Sequence, residues 1–300
     1  MGGNSNLNKA KKAKNDEFYT RYEDIEKELV HYKDELFGKT IYCPCDDYRV
    51  SEFPKFFKDK FEEYGLKKVI STNYDLGNGA WCWTYDGQEE TINELQGDGD
   101  YNSPECSSLR DSADLVCTNP PFSKFRDFFK WLDKDKKFII LGNINAIAYK
   151  EVFPLIKDNK LWLGASIHSG DRKFYVPDSY SLSAATCGTE TVDGVERKYI
   201  NVKGVRWFTN IDHKQRHDKL DLCKKYNSTD YPKYDNYDAI NVNKVSDIPE
   251  DYFGVMGVPI TFLDKYCPSQ FNIVGLMSGG KARPYLNGKS TYNRIFIKRK

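Results

Sequence analysis

The 300-residue sequence lacks an apolar run of membrane-spanning length, and its first residues lack the apolar stretch of a signal peptide. Its eight cysteines are scattered without the regular spacing of a disulfide framework, and a chain of this length does not need disulfides to fold. We therefore expect reduced thiols and a cytoplasmic protein. Hydrophobic residues make up 39% of the chain and aromatic residues 15%, which is enough for a substantial core.

Motifs for phosphate-bearing cofactors and for metals are also missing. Neither GxGxxG nor GxxxxGK(S/T) occurs, which disfavours NAD and ATP. Cys43 and Cys45 lack the usual zinc spacing, and the pair His213 and His217 has no second ligand pair at recognisable spacing. We expect no metal site, and we expect the two histidines on a charged surface helix.

Basic and acidic residues are nearly equal in number, with a formal net charge of +1, but they are strongly segregated along the chain. Residues 84–114 contain nine acids and one arginine, whereas residues 281–300 contain seven basic residues and no acid. Such a basic segment, interleaved with aromatic residues, suits a nucleic-acid backbone, although a solvated basic tail is equally compatible with the charge alone.

The pattern of apolar residues predicts an α/β fold. Spacings of three and four predict helices over residues 21–37, 53–64, 125–132 and 146–156. Short β-favouring runs predict strands over residues 39–43, 68–72, 113–118 and 137–141. This alternation implies a largely parallel sheet covered on both faces, with ligands gathered at the carboxyl ends of the strands.

Beyond residue 160 the pattern changes to short β-like segments, and we expect the sheet to finish with antiparallel strands at 160–163, 173–176 and 204–209. The domain organisation predicted from these patterns is a disordered basic tail over 1–14, a main domain over 15–212 and a smaller region over 213–300.

A chemically specific motif follows the strand predicted at 113–118. Asn119-Pro120-Pro121-Phe122 follows a predicted buried strand, and its two prolines end that strand. Phe122 places an aromatic ring directly after them. The prolines stiffen the corner and leave the Asn119 side-chain carbonyl and the Pro120 main-chain carbonyl as acceptors. Two acceptors on an aromatic amine can aim its lone pair at an electrophilic methyl group while Phe122 stacks on the ring. An ordinary Asn-Pro turn is the structural alternative, and the preceding apolar strand favours catalysis.

At this motif the chain resembles the amino-methyltransferases, and more closely the EcoRI-type adenine-specific DNA methyltransferases. The resemblance covers most of the chain, and it includes these further segments: Asp16-Glu17-Phe18-Tyr19-Thr20, Gly97-Asp98-Gly99-Asp100, Ser123, Phe125-Arg126, Leu141-Gly142-Asn143, Lys160-Leu161-Trp162-Leu163-Gly164 and Val258-Pro259-Ile260-Thr261-Phe262. It implies a Rossmann-like catalytic domain over 15–212, S-adenosylmethionine as methyl donor, and a target-recognition part over 213–300.

The resemblance also implies a cofactor site. Thr20 would contact the methionine end, Asp75 the ribose, and Asp98, with Asp100 beside it, the adenine. Asn119 would adjoin the methyl group, and the loop after the first strand would be Cys43, Pro44, Cys45 and Asp46. That loop departs from the common Asp-Pro-x-x-Gly-x-Gly form because it contains no glycine.

An adenine in a DNA duplex must be extruded before its amine can react, and aromatic surfaces offset the cost of unstacking it. Phe122 is the first candidate, and Phe174 or Tyr175 could form the opposite wall, although ordinary strand packing is the favoured explanation for that pair. For contacts to the DNA backbone we expect Arg283, Lys289, Arg294 and Lys298. We expect a monomer that is functionally paired with a restriction endonuclease or acts alone.

Two other classes of function fit parts of the pattern. The same two-acceptor chemistry serves an RNA adenine or a protein glutamine amide, although protein glutamine methyltransferases typically carry Tyr in place of Phe122. A non-catalytic DNA-binding module on the same fold is the other alternative. Methyl incorporation into DNA, RNA and protein separates these possibilities.

Overall fold

The structure is a computed structural model that describes residues 18–75, 77, 79–182, 187–192 and 194–300. The predicted tail over 1–14, and Asp16 and Glu17 of the first family segment, lie outside the described residues. The chain divides into two compact units: the first runs to residue 146 and resumes over 164–211, and the second comprises 147–163 and 212–300. Among the described helices, none combines the length and apolar character that a membrane span requires.

The described strands and helices have the following bounds. The strands are β1 (Tyr19–Thr20), β2 (Thr40–Cys43), β3 (Lys68–Thr72), β4 (Trp81–Tyr85), β5 (Glu90–Glu94), β6 (Leu115–Thr118), β7 (Lys137–Asn143), β8 (Trp162–Leu163), β9 (Asp171–Tyr175), β10 (Cys187–Val192), β11 (Val195–Lys203), β12 (Val205–Thr209), β13 (Ile240–Asn241), β14 (Met256–Pro259), β15 (Phe271–Met277), β16 (Tyr285–Leu286), β17 (Lys289–Ser290) and β18 (Arg294–Arg299). The α-helices are α1 (Tyr22–Leu29), α2 (Lys33–Leu36), α3 (Glu52–Asp59), α4 (Phe61–Tyr64), α5 (Pro104–Ser112), α6 (Phe125–Trp131) and α7 (Phe153–Lys157).

The first unit is built on a mixed sheet whose strands run in the order β5-β4-β3-β2-β6-β7-β12. β2, β3, β6 and β7 pair in parallel, whereas β4 and β5 on one side and β12 on the other pair antiparallel. All residues of β2 and β6 are buried, as expected for central strands of a parallel sheet. The predicted α/β fold is therefore present, with β12 as the antiparallel strand predicted at 204–209, and the sheet is consistent with a methyltransferase fold. The expectation that the strand at 173–176 belongs to this sheet is wrong, because β9 pairs with β1 and β11 in a separate sheet.

A second sheet of the same unit has the order β1-β9-β11-β10 and is antiparallel throughout. It places Tyr19 opposite Tyr175 and Thr20 opposite Phe174. The hydrophobic core joins this sheet to α3, whose residues Phe53, Phe56 and Phe57 are fully buried. The sheet thereby brings the start of the described chain against a segment about 150 positions later.

The strands predicted at 39–43, 68–72, 113–118 and 137–141 are confirmed as β2, β3, β6 and β7. The helix predicted over 21–37 is wrong in its continuity, because a 3₁₀ turn over Val30–Tyr32 separates α1 from α2. The helix predicted over 146–156 is also wrong: Ile144–Ala148 is 3₁₀, and α7 begins only at Phe153. Pro154 explains this, since proline fits the first turn of a helix but not its interior.

The surface helix predicted for His213 and His217 is wrong. Lys214–His217 is a short 3₁₀ turn, and the His213 side chain is buried, with Nε2 3.0 Å from the carbonyl oxygen of Leu163. The antiparallel hairpin of β4 and β5 was not predicted. All five residues of β5 are exposed, so its sequence carries no alternation of apolar and polar residues.

The second unit contains the sheet β13-β14-β18-β15 and the separate hairpin β16-β17. β18 is central in the sheet and pairs antiparallel with β14 and β15. Tyr234, Ala239 and Phe296 form a small buried cluster beside it, with the rings of Tyr234 and Phe296 stacked at 5.7 Å.

Candidate active site

The site lies where β2 and β6 end side by side. From β2 the sheet continues towards β3 on one side and towards β6 on the other. In open α/β sheets the crevice outside the carboxyl ends of the strands at such a reversal binds ligands. Cys43 is the last residue of β2 and Thr118 the last of β6, so the loop after Cys43 and the motif beginning at Asn119 are neighbours there.

Asn119 is half-buried, and its side-chain orientation is fixed by a distant main-chain group. Its Nδ2 donates to the carbonyl oxygen of Phe18 at 2.6 Å. Because the amide nitrogen is held in this way, Oδ1 is the atom left to accept a hydrogen bond from a ligand. The turn that follows is closed by the N–H of Lys124, which donates to the carbonyl of Pro121 at 2.9 Å, so this bond does not use the Pro120 carbonyl.

Phe122 packs in a cluster of aromatic rings. Its ring meets Phe18 edge-on at 5.8 Å and Phe174 at 6.0 Å with an interplanar angle of 87°. Phe18 also contacts Tyr180 at 6.4 Å. Phe122 is 6% exposed and Phe174 1% exposed, so a base that stacks on Phe122 requires these rings to move or uses the small exposed part. The cluster brings Phe122 and Phe174 together, whereas the Tyr175 ring lies beside Arg197 at 5.2 Å.

The segment that positions Asn119 also carries Thr20. β1 places Thr20 in the second sheet two residues after Phe18. The Thr20 side chain is 3% exposed, and its Oγ1 has no hydrogen-bond partner among the described residues. A buried hydroxyl without a partner is costly and is unusual in a folded protein unless a ligand or water completes it. Thr20 is therefore available to a ligand of this site.

The acidic turn predicted to contact the cofactor lies against the loop after β3. The N–H of Asp75 donates to the carbonyl of Asp98 at 2.9 Å. Gly99 has φ +74°, and a Cβ there would lie 1.9 Å from the carbonyl oxygen of Asn73, so only glycine fits. Asp98 Oδ1 accepts the N–H of Asp100 at 3.0 Å, which makes the turn rigid.

The same turn contacts the residue that follows the Asn-Pro-Pro-Phe motif and Ser123, through one ion pair. Lys124 Nζ lies 3.5 Å from Asp100 Oδ2 and 5.3 Å from the centre of the Tyr74 ring. Lys124 is two residues beyond Phe122, so the acidic turn lies near the Asn-Pro-Pro-Phe segment. Sequence reasoning alone did not connect them, because an exposed lysine after a turn carries no distinguishing pattern.

Asp46 occupies the centre of the loop after β2. Its carboxylate is buried, and it accepts hydrogen bonds from Ser51 Oγ at 2.6 Å and from Thr118 Oγ1 at 2.5 Å. Burial raises the pKa of Asp46 to about 7, and the bonds from Ser51, Thr118 and the backbone N–H of Asn119 partly oppose that rise. The glycine-free loop is possible because none of residues 43–47 has a positive φ.

Three partners in this site were not predicted: Phe18, Ser51 and Thr118. Ser51 had a detectable signal, since serine before a run of Phe residues marks a helix start, and it caps α3 by accepting from the N–H of Phe53. Thr118 stood at the end of the predicted strand. The sequence could not predict the contact of the Phe18 carbonyl with Asn119, because any residue supplies the same main-chain oxygen.

A cavity of about 700 Å³ lies in the first unit beside these elements. Its lining includes Tyr19, Ser51, Trp83, Tyr175 and Arg197, but not Asn119 or Phe122. Its charges are largely paired, as in the contact of 3.1 Å between Arg197 and Glu52. The cavity touches the site only through Ser51 and through Tyr19 and Tyr175, the chain neighbours of Phe18 and Phe174. Within the described residues, no group of three or more His, Cys, Asp or Glu side chains is arranged to hold a metal.

The basic residues predicted to contact DNA lie in the second unit. Lys289 in β17 and Lys298 in β18 are exposed, and Arg283 is half-buried. Arg294 is 8% exposed and lies at the start of β18, with Nε 3.4 Å from Asn241 Oδ1. Lys289 and Lys298 are thus exposed to solvent, whereas Arg294 is buried within the second unit.

The sheet and the Asn-Pro-Pro-Phe corner at the end of β6 are typical of the amino-methyltransferases. The acidic turn and the loop after β2 lie beside that corner. A family model described as "Adenine-specific methyltransferase EcoRI" matches residues 6–92 and 77–300. The chain therefore belongs to the EcoRI family of adenine-specific methyltransferases.

Relatives support this assignment over nearly the whole chain. The Type II methyltransferase M.EcoRI of Escherichia coli is 45% identical over 99% of this chain and 97% of its own length. The Type II methyltransferase M.MgeORF184P of Mycoplasma genitalium is 37% identical over 98% of both chains. The Type II methyltransferase M.MpnI of Mycoplasma pneumoniae is 38% identical over 93% of this chain and 86% of its own length. No solved structure matches the chain.

Proposed function

We propose that this methyltransferase transfers a methyl group from S-adenosylmethionine to the exocyclic 6-amino group of an adenine that is extruded from double-stranded DNA. The single observation that carries the proposal is the orientation of Asn119, whose amide nitrogen is held by the Phe18 carbonyl at the end of β6. Oδ1 can then accept from the adenine amine, and the Pro120 carbonyl can accept its second hydrogen. The relatives' description as Type II methyltransferases supports a role in restriction-modification.

The residues at the crevice fit S-adenosylmethionine. The unpartnered buried hydroxyl of Thr20 suits the charged amino-acid end, and the carboxylates of Asp75 and Asp98 suit the ribose hydroxyls and the adenine amine. The loop Cys43 to Asp46 and Asn119 lie at the neighbouring ends of β2 and β6. When bound, this cofactor supplies an electrophilic methyl group on a positively charged sulfur.

The chain's own groups act on the acceptor. The two acceptors draw the amine hydrogens and turn the nitrogen lone pair away from the ring, so that it can attack the methyl carbon. The bound cofactor would supply the methyl group, with its neutral thioether as the leaving group, and the methylated amine would then release a proton to water. Positioning of this kind lowers the barrier because the reactants are already aligned.

A hairpin in the second unit supports the proposal that this unit binds DNA. Asn287 and Gly288 form its tip with φ +50° and +73°, as a two-residue hairpin turn requires. The Asp235 carboxylate accepts both tip N–H groups, at 3.2 and 2.8 Å, and Lys289 is exposed immediately after them. A rigid tip that carries a cation can follow a phosphate backbone with little loss of entropy.

The test is incubation of the purified protein with labelled S-adenosylmethionine and unmethylated genomic DNA, with RNA and a protein mixture as parallel substrates. We expect label in N6-methyladenine of DNA alone, and sequencing then gives the target site. Asn119→Ala should lower the transfer rate by at least about a hundredfold, as the loss of one preorganised polar contact does at other reacting centres. Asn93→Ala, at an exposed position of β5, is the matched control. Label in RNA or protein but not in DNA would overturn the proposal.

A further inference from the structure

Among the residues that the structure describes, Asp46 is the buried carboxylate that contacts Thr118, next to Asn119. Its side chain is 4% exposed, and both of its oxygens accept hydrogen bonds from hydroxyl groups of the protein. Ser51 Oγ donates to Oδ1 and Thr118 Oγ1 donates to Oδ2. Its oxygens are thus already satisfied from within the protein.

The main chain of Asp46 is fixed as well. Its N–H donates to the carbonyl of Thr72 at 3.1 Å, and its own carbonyl accepts from the hydroxyl of Ser71. Ser51, which holds the carboxylate, is also the cap of α3. One residue therefore connects the ends of β2, β3 and β6 with the start of α3.

Two successive residues of the Asn-Pro-Pro-Phe corner cannot donate a backbone hydrogen bond. Pro120 and Pro121 have no N–H, so the backbone N–H of Asn119 is the last donor before the turn. The Asn119 side chain is fixed by the Phe18 carbonyl, as described above. The Asp46 carboxylate supplies a second anchor one residue earlier, through the hydroxyl of Thr118.

We propose that Asp46 is a positioning residue, whose carboxylate ties Thr118 at the end of β6 to the loop after β2 and so holds the adjoining Asn119 Oδ1 in line with the methyl group. This inference rests on the proposed function. In it, the Asp46 side chain orients Asn119 and does not itself contact the cofactor, which neighbouring residues of the loop contact. A displacement of about 1 Å at a reacting centre is enough to reduce a rate by about a hundredfold.

The decisive variant is Asp46→Asn, compared with Asp127→Asn, which makes the same exchange at an exposed position of α6. We expect the single-turnover rate with saturating DNA and cofactor to fall at least about tenfold in Asp46→Asn. The affinity for S-adenosylhomocysteine, measured by calorimetry, should stay within about twofold of wild type. Loss of that affinity in step with the rate would assign Asp46 to cofactor binding and overturn the proposal, as would an unchanged rate.

A second pair of variants covers the case in which Asp46→Asn does not fold. Thr118→Val removes the hydroxyl that donates to Oδ2 while keeping the side-chain shape, and Thr118→Ser restores a hydroxyl. We expect the rate to fall in Thr118→Val and to recover in Thr118→Ser. Equal rates in the two variants would contradict the proposal. A wild-type protein that methylates no DNA would instead reject the proposed function, so the two failures are distinguishable.

Discussion

The side-chain nitrogen of Asn119 lies 2.6 Å from the carbonyl oxygen of Phe18, although the two residues are 101 positions apart in the chain. The bond ties the catalytic corner after β6 to the strand that carries Thr20. It also decides which atom of the Asn119 amide is presented to a ligand. A segment at the start of the described chain therefore sets the chemistry of a motif in the middle of it.

This bond predicts that Asn119→Asp is as damaging as Asn119→Ala. Aspartate keeps the shape of the side chain but replaces the NH2 donor with an oxygen, which meets the Phe18 carbonyl as a second acceptor. We expect the single-turnover rate to fall by about a hundredfold, with binding of S-adenosylhomocysteine nearly unchanged. Asn93→Asp in β5 is the matched control. A rate near wild type would show that the Phe18 carbonyl does not orient the amide.

The acidic turn predicts a contrast between two glycines that stand two positions apart. A Cβ at Gly99 would lie 1.9 Å from the carbonyl oxygen of Asn73, whereas a Cβ at Gly97 would meet nothing within 4 Å. Gly99→Ala should therefore displace Asp98 from the loop after β3 and weaken the binding of S-adenosylhomocysteine at least about tenfold. Gly97→Ala should bind it as wild type does. Calorimetry on the two variants makes the comparison, and equal affinities would exclude a cofactor role for this turn.

Much of this site could be predicted from the sequence because its parts are local. The Asn-Pro-Pro-Phe corner follows an apolar strand, and the segments that contain Asp46 and Asp75 follow two other predicted strands whose ends meet at the same edge of the sheet. The four central strands were predictable for the same reason, since buried parallel strands are short apolar runs. What the sequence could not show is how distant groups combine: the Phe18 carbonyl on Asn119, and the Asp46 carboxylate between Ser51 and Thr118.

The prediction failed where local pattern and tertiary structure disagree. β5 is exposed throughout and has no periodicity, yet its pairing with β4 extends the sheet. Arg294 lies in the basic segment, but its position at the start of the central strand β18 buries it. The distribution of charge along the sequence does not predict which Lys or Arg side chains become buried in the folded protein.

The Asp46 anchor predicts a pH dependence of methyl transfer. Burial raises the pKa of Asp46 to about 7, and its ionised form is the one that can accept from all three donors. The facing thiols of Cys43, Cys45 and Cys117 have pKa values raised well above their usual range by burial, so they stay neutral near pH 7. We expect the single-turnover rate to rise with pH through about 7 in wild type and to lose this inflection in Asp46→Asn. An inflection that persists in the variant would assign the titration to another group.

The raised pKa of Asp46 also predicts that the stability of the folded protein falls as pH rises, whereas the rate of methyl transfer rises. Because the pKa of Asp46 in the folded protein lies above the ordinary value of 3.8, the folded state binds more protons than the unfolded state between these two values. The free energy of unfolding should therefore decrease as pH rises through this window. Urea unfolding at the two ends of the window measures the slope, and Asp46→Asn should reduce it. A slope that is the same in both proteins would contradict burial as the cause.

The exposed lysines of the second unit predict the salt dependence of DNA binding. Lys289 follows the braced hairpin tip and Lys298 lies in β18, and each contact with a phosphate releases condensed counterions. Lys289→Ala together with Lys298→Ala should weaken binding to all DNA sequences alike and reduce the slope of log K against log salt by about 2. Lys33→Ala with Lys39→Ala, two exposed positions of the first unit, controls for net charge. An equal change of slope in both double variants would mean that general charge, and not the hairpin and β18, follows the phosphate backbone.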